Sequence, residues 1–96
     1  MKITKVKLRN KERENSRMKA IATVTLDDAF VVTGIRILQG DDKMFLAMPS
    51  RQVSEGVYDD CAHPANQETR KMFEDVIFDV YEQMKQSGED SIEVNL

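Results

Sequence analysis

Two segments near the start of the chain alternate between apolar and polar residues. In residues 3–8, Thr4, Val6 and Leu8 share one face, and in residues 17–26 apolar side chains take every second position from Met18 to Leu26. This alternation is typical of half-buried β-strands. The polar residues 10–16 between them predict a loop. We therefore expect an antiparallel hairpin whose two apolar faces are aligned.

A third strand is predicted over residues 30–39, and it is apolar on both faces. Strict alternation divides its apolar side chains into one set of Val31, Ile35 and Ile37 and another of Phe30, Val32 and Leu38. One helix covers only one face of a small sheet, so a second copy of the chain is the simplest cover for the other face. This strand therefore predicts a homodimer.

The rest of the pattern predicts further strands and one helix. Residues 44–48 are expected to form a fourth strand, residues 50–56 a loop and residues 57–62 a short fifth strand. An apolar stripe at helical spacing follows Asn66, an expected N-cap, and Gly88 is an expected helix stop.

These elements predict an α+β fold, in which an antiparallel sheet of four to five strands carries one long C-terminal helix and the protein is dimeric. We expect residues 1–86 to form a single domain and residues 87–96 to form a frayed C-terminal tail.

Positive charge is concentrated in the first two strands. The net charge is −3, but residues 1–20 carry +6 and the remaining residues carry −9. In the expected hairpin, one polar face bears Lys5, Lys7, Arg9, Arg17 and Lys19. Like charges side by side destabilise a sheet, and a phosphate backbone would relieve that repulsion. The alternatives are a solvated edge strand that resists aggregation, or pairing with acidic residues of the same chain.

A second, smaller basic cluster lies further along the chain. Arg51 falls in the loop predicted over residues 50–56, and Arg70 and Lys71 fall in the first turns of the helix. The free amide groups at the helix start, with Asn66, Thr69, Arg70 and Lys71, could together bind an anion. The alternative is an ion pair between Arg70 and Glu74 four residues later.

The sequence offers little for catalysis or metal binding. Cys61 and His63 are two residues apart, but no second cysteine or histidine completes a zinc site, so a strand-to-helix corner with Cys61 buried is expected. The paired aspartates fall mostly at predicted turns, where aspartate is favoured for backbone reasons. We expect no enzyme, no metal and no cofactor.

Cysteine content and hydropathy favour the cytoplasm. A single cysteine forms no intrachain disulfide, which favours a reducing compartment. The alternating N-terminus lacks the apolar core of a signal peptide, and no apolar run approaches the roughly 18 residues that cross a membrane. We therefore expect a cytoplasmic protein with no membrane contact and no small-molecule substrate.

Several segments together resemble the stage V sporulation protein G (SpoVG) family. The matching segments are RMKAIATVTL at Arg17–Leu26, FVV at Phe30–Val32, FLAMPSR at Phe45–Arg51, His63-Pro64, Asn66 and Thr69-Arg70. The resemblance implies a small, dimeric, bacterial cytosolic protein that binds DNA and RNA site-specifically. It also implies roles in septum formation during sporulation and in the control of surface or virulence genes.

The resemblance also bears on the basic residues. The family's basic loop corresponds here to Ser50, Arg51 and Gln52. The family commonly has two basic residues in that loop and one at the position of Asp59, whereas this chain keeps only Arg51. The basic hairpin positions match the family better; they are Lys7, Arg9, Arg17 and Lys19.

The leading prediction is a homodimeric regulator that binds nucleic acid through basic side chains. The predicted nucleic-acid-binding residues are Lys5, Lys7, Arg9, Arg17, Lys19, Arg51, Arg70 and Lys71. The alternative is a protein-interaction module that acts on the cell-division machinery through an exposed strand edge or the basic face.

Overall fold

A computed structural model describes residues 1–96 and contains seven strands and one helix. The elements are β1 (Ile3–Asn10), β2 (Met18–Leu26), β3 (Phe30–Gln39), β4 (Met44–Ala47), β5 (Ser50–Ser54), β6 (Val57–Asp60), α1 (Gln67–Ser87) and β7 (Ser91–Asn95). The predicted α+β class with one long helix is confirmed. No helix is long and apolar enough to cross a membrane.

Five of the strands form one antiparallel sheet in the order β4-β3-β2-β1-β7. Strands β1 to β4 lie close to the predicted segments, because their alternation matches a sheet with one buried face. The fifth strand of this sheet is β7, whereas the predicted fifth strand at residues 57–62 belongs elsewhere. Strands β5 and β6 pair only with each other.

The core lies between one face of this sheet and the helix. Every second residue of β2 is buried, and the helix buries a stripe of residues at spacings of three and four. The largest fully buried side chains are Leu8, Ile35, Ile37, Ile77, Met84, Val6, Val24 and Val80. Burying a side chain of this size stabilises the fold by about 1.5–3 kcal/mol. The opposite face of the sheet, which we call the open face, carries no helix.

Both ends of the helix are capped as predicted. The side chain of Asn66 accepts a hydrogen bond from the Thr69 amide at 2.8 Å, which satisfies one of the free amides of the first turn. Gly88 has a φ of 75° and donates its N–H to the carbonyls of Met84 and Lys85. This left-handed residue ends the helix and allows the chain to turn back.

The C-terminal tail, expected to be frayed, instead forms strand β7 against β1. The Asn10 N–H donates to the Asp90 carbonyl at 2.7 Å, and the Leu96 N–H donates to the Thr4 carbonyl at 2.9 Å. Ile92 and Val94 point to the helix side and are half-buried against the core. The expectation was wrong because β1 has a free edge beside the helix, which a short alternating segment can pair and cover.

Strand β3 contains a bulge that changes which of its residues share a face. Val32 pairs with Val24, and Ile35 pairs with Ala22, so Thr33 and Gly34 together oppose a single residue of β2. Gly34 has a φ of 81°, which glycine adopts without steric cost. The predicted sets were therefore wrong, because Val32 shares the core face with Ile35 and Ile37, whereas Val31 is 55% exposed.

The segment predicted as a loop at residues 50–56 is the first strand of a second hairpin. Ser50–Ser54 and Val57–Asp60 pair antiparallel around a turn at Glu55 and Gly56, where Gly56 has a φ of 73°. All residues of this β5–β6 hairpin except Ser50 are exposed. It forms no hydrogen-bonded ladder with the main sheet, so it extends from the domain as an arm.

Candidate nucleic-acid interface

A column of basic side chains runs along β1 on the open face. Lys5 pairs with Thr25, Lys7 with Thr23 and Arg9 with Ile21, in regular register between β1 and β2. Directly paired residues of antiparallel strands point to the same face. The apolar residues between them are buried toward the helix. The hairpin and its shared basic face are thus as predicted for these three residues.

Lys11 extends the column beyond the end of β1. Its N–H donates to the Lys19 carbonyl at 3.0 Å, so the pairing with β2 continues past Asn10. Residues two apart on a strand are about 6.7 Å apart, so the column from Lys5 to Lys11 is about 20 Å long. A row of cations of that length matches an extended sugar-phosphate backbone better than a single small anion.

Two shallow depressions lie along this column. The first has a volume of about 310 Å³ and is lined by Lys7, Arg9, Lys11, Ile21 and Thr23. It combines three cations with a hydroxyl and an apolar floor. None of its three basic side chains takes part in an ion pair within the chain.

The second depression adjoins the first, since Arg9 and Lys11 line both. Its remaining lining is Asn10, Glu12, Arg13 and Asp90. The β1–β2 loop and the segment before β7 therefore meet at this end of the column. Acidic and basic groups are mixed here, in contrast to the purely basic first depression.

Lys19 lies at the same end but is already paired. Its Nζ donates to Glu12 Oε1 at 2.7 Å, and Lys85 Nζ donates to Glu12 Oε2 at 3.1 Å. The hydrogen bond from Lys19, followed by that from Lys85, lowers the pKa of Glu12 from its ordinary value. Glu12 therefore stays ionised and offsets part of the charge of Lys19.

Arg17 precedes β2 and points toward the β3–β4 turn. Its guanidinium lies 3.1 Å from the Asp41 carboxylate and donates to the Gln39 carbonyl at 3.4 Å. Both ionic side chains are largely exposed, so this pair is weak and screened by salt. Arg17 thus belongs to the basic region but has an internal partner.

The other predicted site residues lie away from the column. Arg51 is on the β5–β6 hairpin, directly opposite Asp59. Arg70 and Lys71 are on the helix, which packs on the face of the sheet opposite to the column. The structure therefore does not join these three residues to the basic column.

The helix start is less suited to an anion than the sequence suggested. Lys71 Nζ lies 2.9 Å from Asp75 Oδ2, and this hydrogen bond raises the pKa of Lys71. The Thr69 amide is taken by Asn66, and the Arg70 N–H donates to the Asn66 carbonyl at 3.1 Å. The alternative ion pair between Arg70 and Glu74 is also not formed.

Two further basic residues lie on the open face beyond those predicted. Lys11 falls within residues 10–16, which the sequence predicts as a loop, although the alternation of Lys5, Lys7 and Arg9 continues to it. Arg36 pairs with Ile21 and is half-buried on the open face. Its alternation with Ile35 and Ile37, which are both buried, is a local signal for that face.

Cys61 and His63 do not form a reactive pair in this structure. Cys61 is exposed rather than buried, because the chain emerging from the hairpin arm runs over the surface. His63 Nδ1 lies 3.0 Å from the Pro64 carbonyl oxygen. No group of three histidine, cysteine, aspartate or glutamate side chains is arranged to hold a metal ion.

An apolar cleft of about 300 Å³ opens where the N-terminal end of the helix meets the sheet. Its lining includes Met1, Phe30, Val32, Pro64 and Phe73. Phe30 is 65% exposed, and Val57 and Tyr58 of the nearby hairpin are 50% and 62% exposed. This end of the molecule therefore presents apolar surface that its own chain does not cover.

Comparison with known proteins identifies close relatives. The sequence model of the SpoVG family matches residues 1–83. A protein of Caldicellulosiruptor bescii that carries the name septation protein SpoVG is 46% identical over 93% of this chain and 100% of its own length. The corresponding protein of Bdellovibrio bacteriovorus is 46% identical over 93% of this chain and 82% of its own length. That of Staphylococcus carnosus is 43% identical over 86% of this chain and 77% of its own length.

Proposed function

Because this chain belongs to the SpoVG family, we propose that it is a homodimeric, cytoplasmic regulator that binds nucleic acid through its open face. The names of its relatives refer to septation and describe no enzyme. We infer that its regulatory role lies in septation and the associated sporulation or surface and virulence genes. Recognition of specific sites on DNA or RNA belongs to this proposal.

The observation that supports nucleic-acid binding most directly is the first depression on the open face. Lys7, Arg9 and Lys11 lie together there without an acidic partner within ion-pair distance. Like charges two residues apart along one strand, about 6.7 Å, repel one another, and a bound phosphate backbone relieves that repulsion. Such contacts also release counterions from the nucleic acid, which is the main source of salt-dependent affinity.

The remaining predicted residues differ in how directly they would contact nucleic acid. Lys5 continues the column at its far end, and Lys19 and Arg17 border it while keeping internal partners. Arg51 reaches nucleic acid only if the hairpin arm folds over the bound strand. Arg70 and Lys71 would need a second contact from the helix side of the sheet.

Salt-dependent binding tests the proposed face. A labelled DNA duplex and a labelled RNA strand would be titrated with wild-type protein and with the Lys7→Ala/Arg9→Ala/Lys11→Ala variant at several salt concentrations. We expect log K to fall linearly with log[salt], and the variant to reduce the slope by about 0.9 per removed contact on duplex DNA. The slope on single strands should change by about 0.7 per contact.

A control away from the column shows the effect of losing one positive charge elsewhere. Lys43 lies exposed in the β3–β4 turn, outside the basic column, so Lys43→Ala should leave affinity nearly unchanged. Thermal unfolding by circular dichroism would establish that each variant is folded. Equal affinity of the triple variant and the wild type would exclude the open face as the binding surface.

The structural reason to propose a homodimer differs from the one that the sequence of β3 suggested. The bulge in β3 moves Val32 to the core face with Ile35 and Ile37, which reduces the apolar surface that this strand leaves uncovered, although Phe30 and Val31 stay exposed. The β5–β6 hairpin gives a stronger reason for a second copy, since an isolated two-stranded hairpin is marginally stable in water. We propose that a second copy packs against this arm and the neighbouring apolar cleft.

Light scattering tests the dimer. We expect twice the mass of one chain for the wild type at micromolar concentration. Val57→Ser/Tyr58→Ser should shift the mass toward one chain, because these exposed side chains would lie in the interface. A wild-type mass of one chain would refute the dimer.

The same apolar end supports an alternative, a protein-interaction module of the cell-division machinery. In that case the hairpin arm and cleft would bind a division protein, and the basic face would be dispensable. Capture of division proteins that survives nuclease treatment, together with no binding of any DNA or RNA, would favour this alternative over nucleic-acid binding.

A further inference from the structure

An acidic residue of β7 stands directly beside the basic column. In the β1–β7 register, Glu93 is opposite Lys7. On either side of it, Ser91 is opposite Arg9 and Asn95 is opposite Lys5. Opposite residues on one face have Cβ atoms about 4.5–5.5 Å apart. Glu93 and Lys7 are both exposed and do not close into an ion pair, so both remain available to a ligand.

A second acidic residue lies at the other end of the same edge. Asp90 lines the second depression with Arg9, Lys11 and Arg13. Its backbone carbonyl accepts the Asn10 N–H, which fixes Asp90 next to the end of the column. Both acidic residues come from the segment after the helix, beyond the residues that match the family's sequence model.

We propose that Glu93 and Asp90 are positioning residues that form an acidic border along the β7 side of the basic column. A phosphate backbone that drifts from β1 toward β7 meets their negative charges and is repelled. A backbone that follows β1 toward β2 meets Lys7, Arg9 and Lys11 over the surface of Ile21 and Thr23. The border thus confines nucleic acid to one track and lowers the affinity for a backbone that crosses toward β7.

This inference rests on the proposed function, and a double-mutant cycle tests it separately. Glu93→Gln removes the charge and keeps the shape of the side chain. We expect it to tighten binding of a random-sequence duplex by roughly twofold to fivefold at low salt, the range of a cross-strand charge pair. In a Lys7→Ala background the same substitution should have less effect, because the phosphate backbone is then no longer held beside Glu93.

Two controls accompany the cycle. Glu55→Gln makes the same chemical change in the turn of the β5–β6 hairpin, which does not pair with the strands of the main sheet, and should leave affinity unchanged. Slow exchange of the Asn10 amide hydrogen, which is bonded to the Asp90 carbonyl, would show that β7 remains paired in the Glu93→Gln protein.

The double variant Asp90→Asn/Glu93→Gln should tighten binding further than either change alone.

The outcomes distinguish this inference from the proposed function. If wild-type protein binds and Lys7→Ala weakens it, but Glu93→Gln has no effect, the acidic border is refuted alone. Equal tightening by Glu93→Gln in both backgrounds, or by Glu55→Gln, also refutes it, since net charge would then be the cause. Failure of the wild-type protein to bind any duplex or RNA refutes the proposed function itself.

Discussion

Glu12 connects the β1–β2 loop to the last turn of the helix, and replacing it tests whether this contact stabilises the fold. Its carboxylate oxygens lie 2.7 Å from Lys19 Nζ and 3.1 Å from Lys85 Nζ. Glu12→Gln removes the charge but keeps the size of the side chain. We expect a lower free energy of unfolding, because both lysines then lose their anionic partner.

The size of the effect follows from the exposure of the pair. The side chains of Lys19 and Glu12 are 24% and 35% exposed, so water screens their attraction only in part. A pair of this kind contributes about 0.5–1 kcal/mol, the upper part of the range for surface ion pairs. The contact with Lys85 is open to solvent and adds little. In a domain of this size, the unfolding temperature should fall by about 2–8 °C.

The pH dependence gives a sharper test. The hydrogen bonds from Lys19 and Lys85 lower the pKa of Glu12 in the folded chain, relative to its ordinary value of 4.5. Its stabilisation is therefore fully present above pH 4.5 and is lost as the pH falls through the lower, folded-state pKa. The wild type and Glu12→Gln should differ at neutral pH and converge in strong acid.

Thermal unfolding followed by circular dichroism would measure this difference across pH and salt concentration. The matched control is Glu14→Gln, since Glu14 lies exposed on the same loop and forms no ion pair. We expect Glu14→Gln to unfold with the wild type at every pH. The reasoning fails if the two variants unfold at the same temperature, or if the effect of Glu12→Gln persists in strong acid.

Three further substitutions test the fold by chemical denaturation. Asp28→Gly should stabilise by about 1 kcal/mol, because Asp27 and Asp28 both have a φ of 53° in the β2–β3 turn. An unchanged midpoint would argue against backbone strain there. Asn66→Ala should destabilise by about 1 kcal/mol through loss of the bond to the Thr69 amide, with Asn66→Ser as the tolerated control. Ile77→Ala should cost about 2–5 kcal/mol, and a smaller loss would mean that the core collapses around the site.

The basic column was predictable because it depends on one short strand. The alternation of Lys5, Lys7 and Arg9 with buried apolar residues places them on one face in any sheet that buries β1 on the other face. The internal partners of Arg17 and Lys19 were not predictable. Asp41 approaches Arg17 only through the β3–β4 turn, and Glu12 reaches Lys19 across seven residues of chain.

The positions of Arg51, Arg70 and Lys71 show a different limit of prediction from sequence. Their sequence neighbours suggested a second basic cluster, but clustering depends on where whole elements lie. The hairpin arm carries Arg51 away from the main sheet, and the helix carries the other two to the opposite side. Distances between elements follow from their packing, which short-range patterns do not describe.

By itself, the sequence determined the local structure: the first four strands, the helix with its caps at Asn66 and Gly88, and the basic column on β1. Each follows from side-chain period or from backbone preference within a few residues. Only the tertiary structure decided that β7 completes the sheet, because its few apolar residues become buried only once β1 and the helix are already packed. The same is true of the bulge at Gly34 and of Glu93 beside Lys7. These features depend on register between strands that are distant in the chain, and register is set by packing of the whole domain.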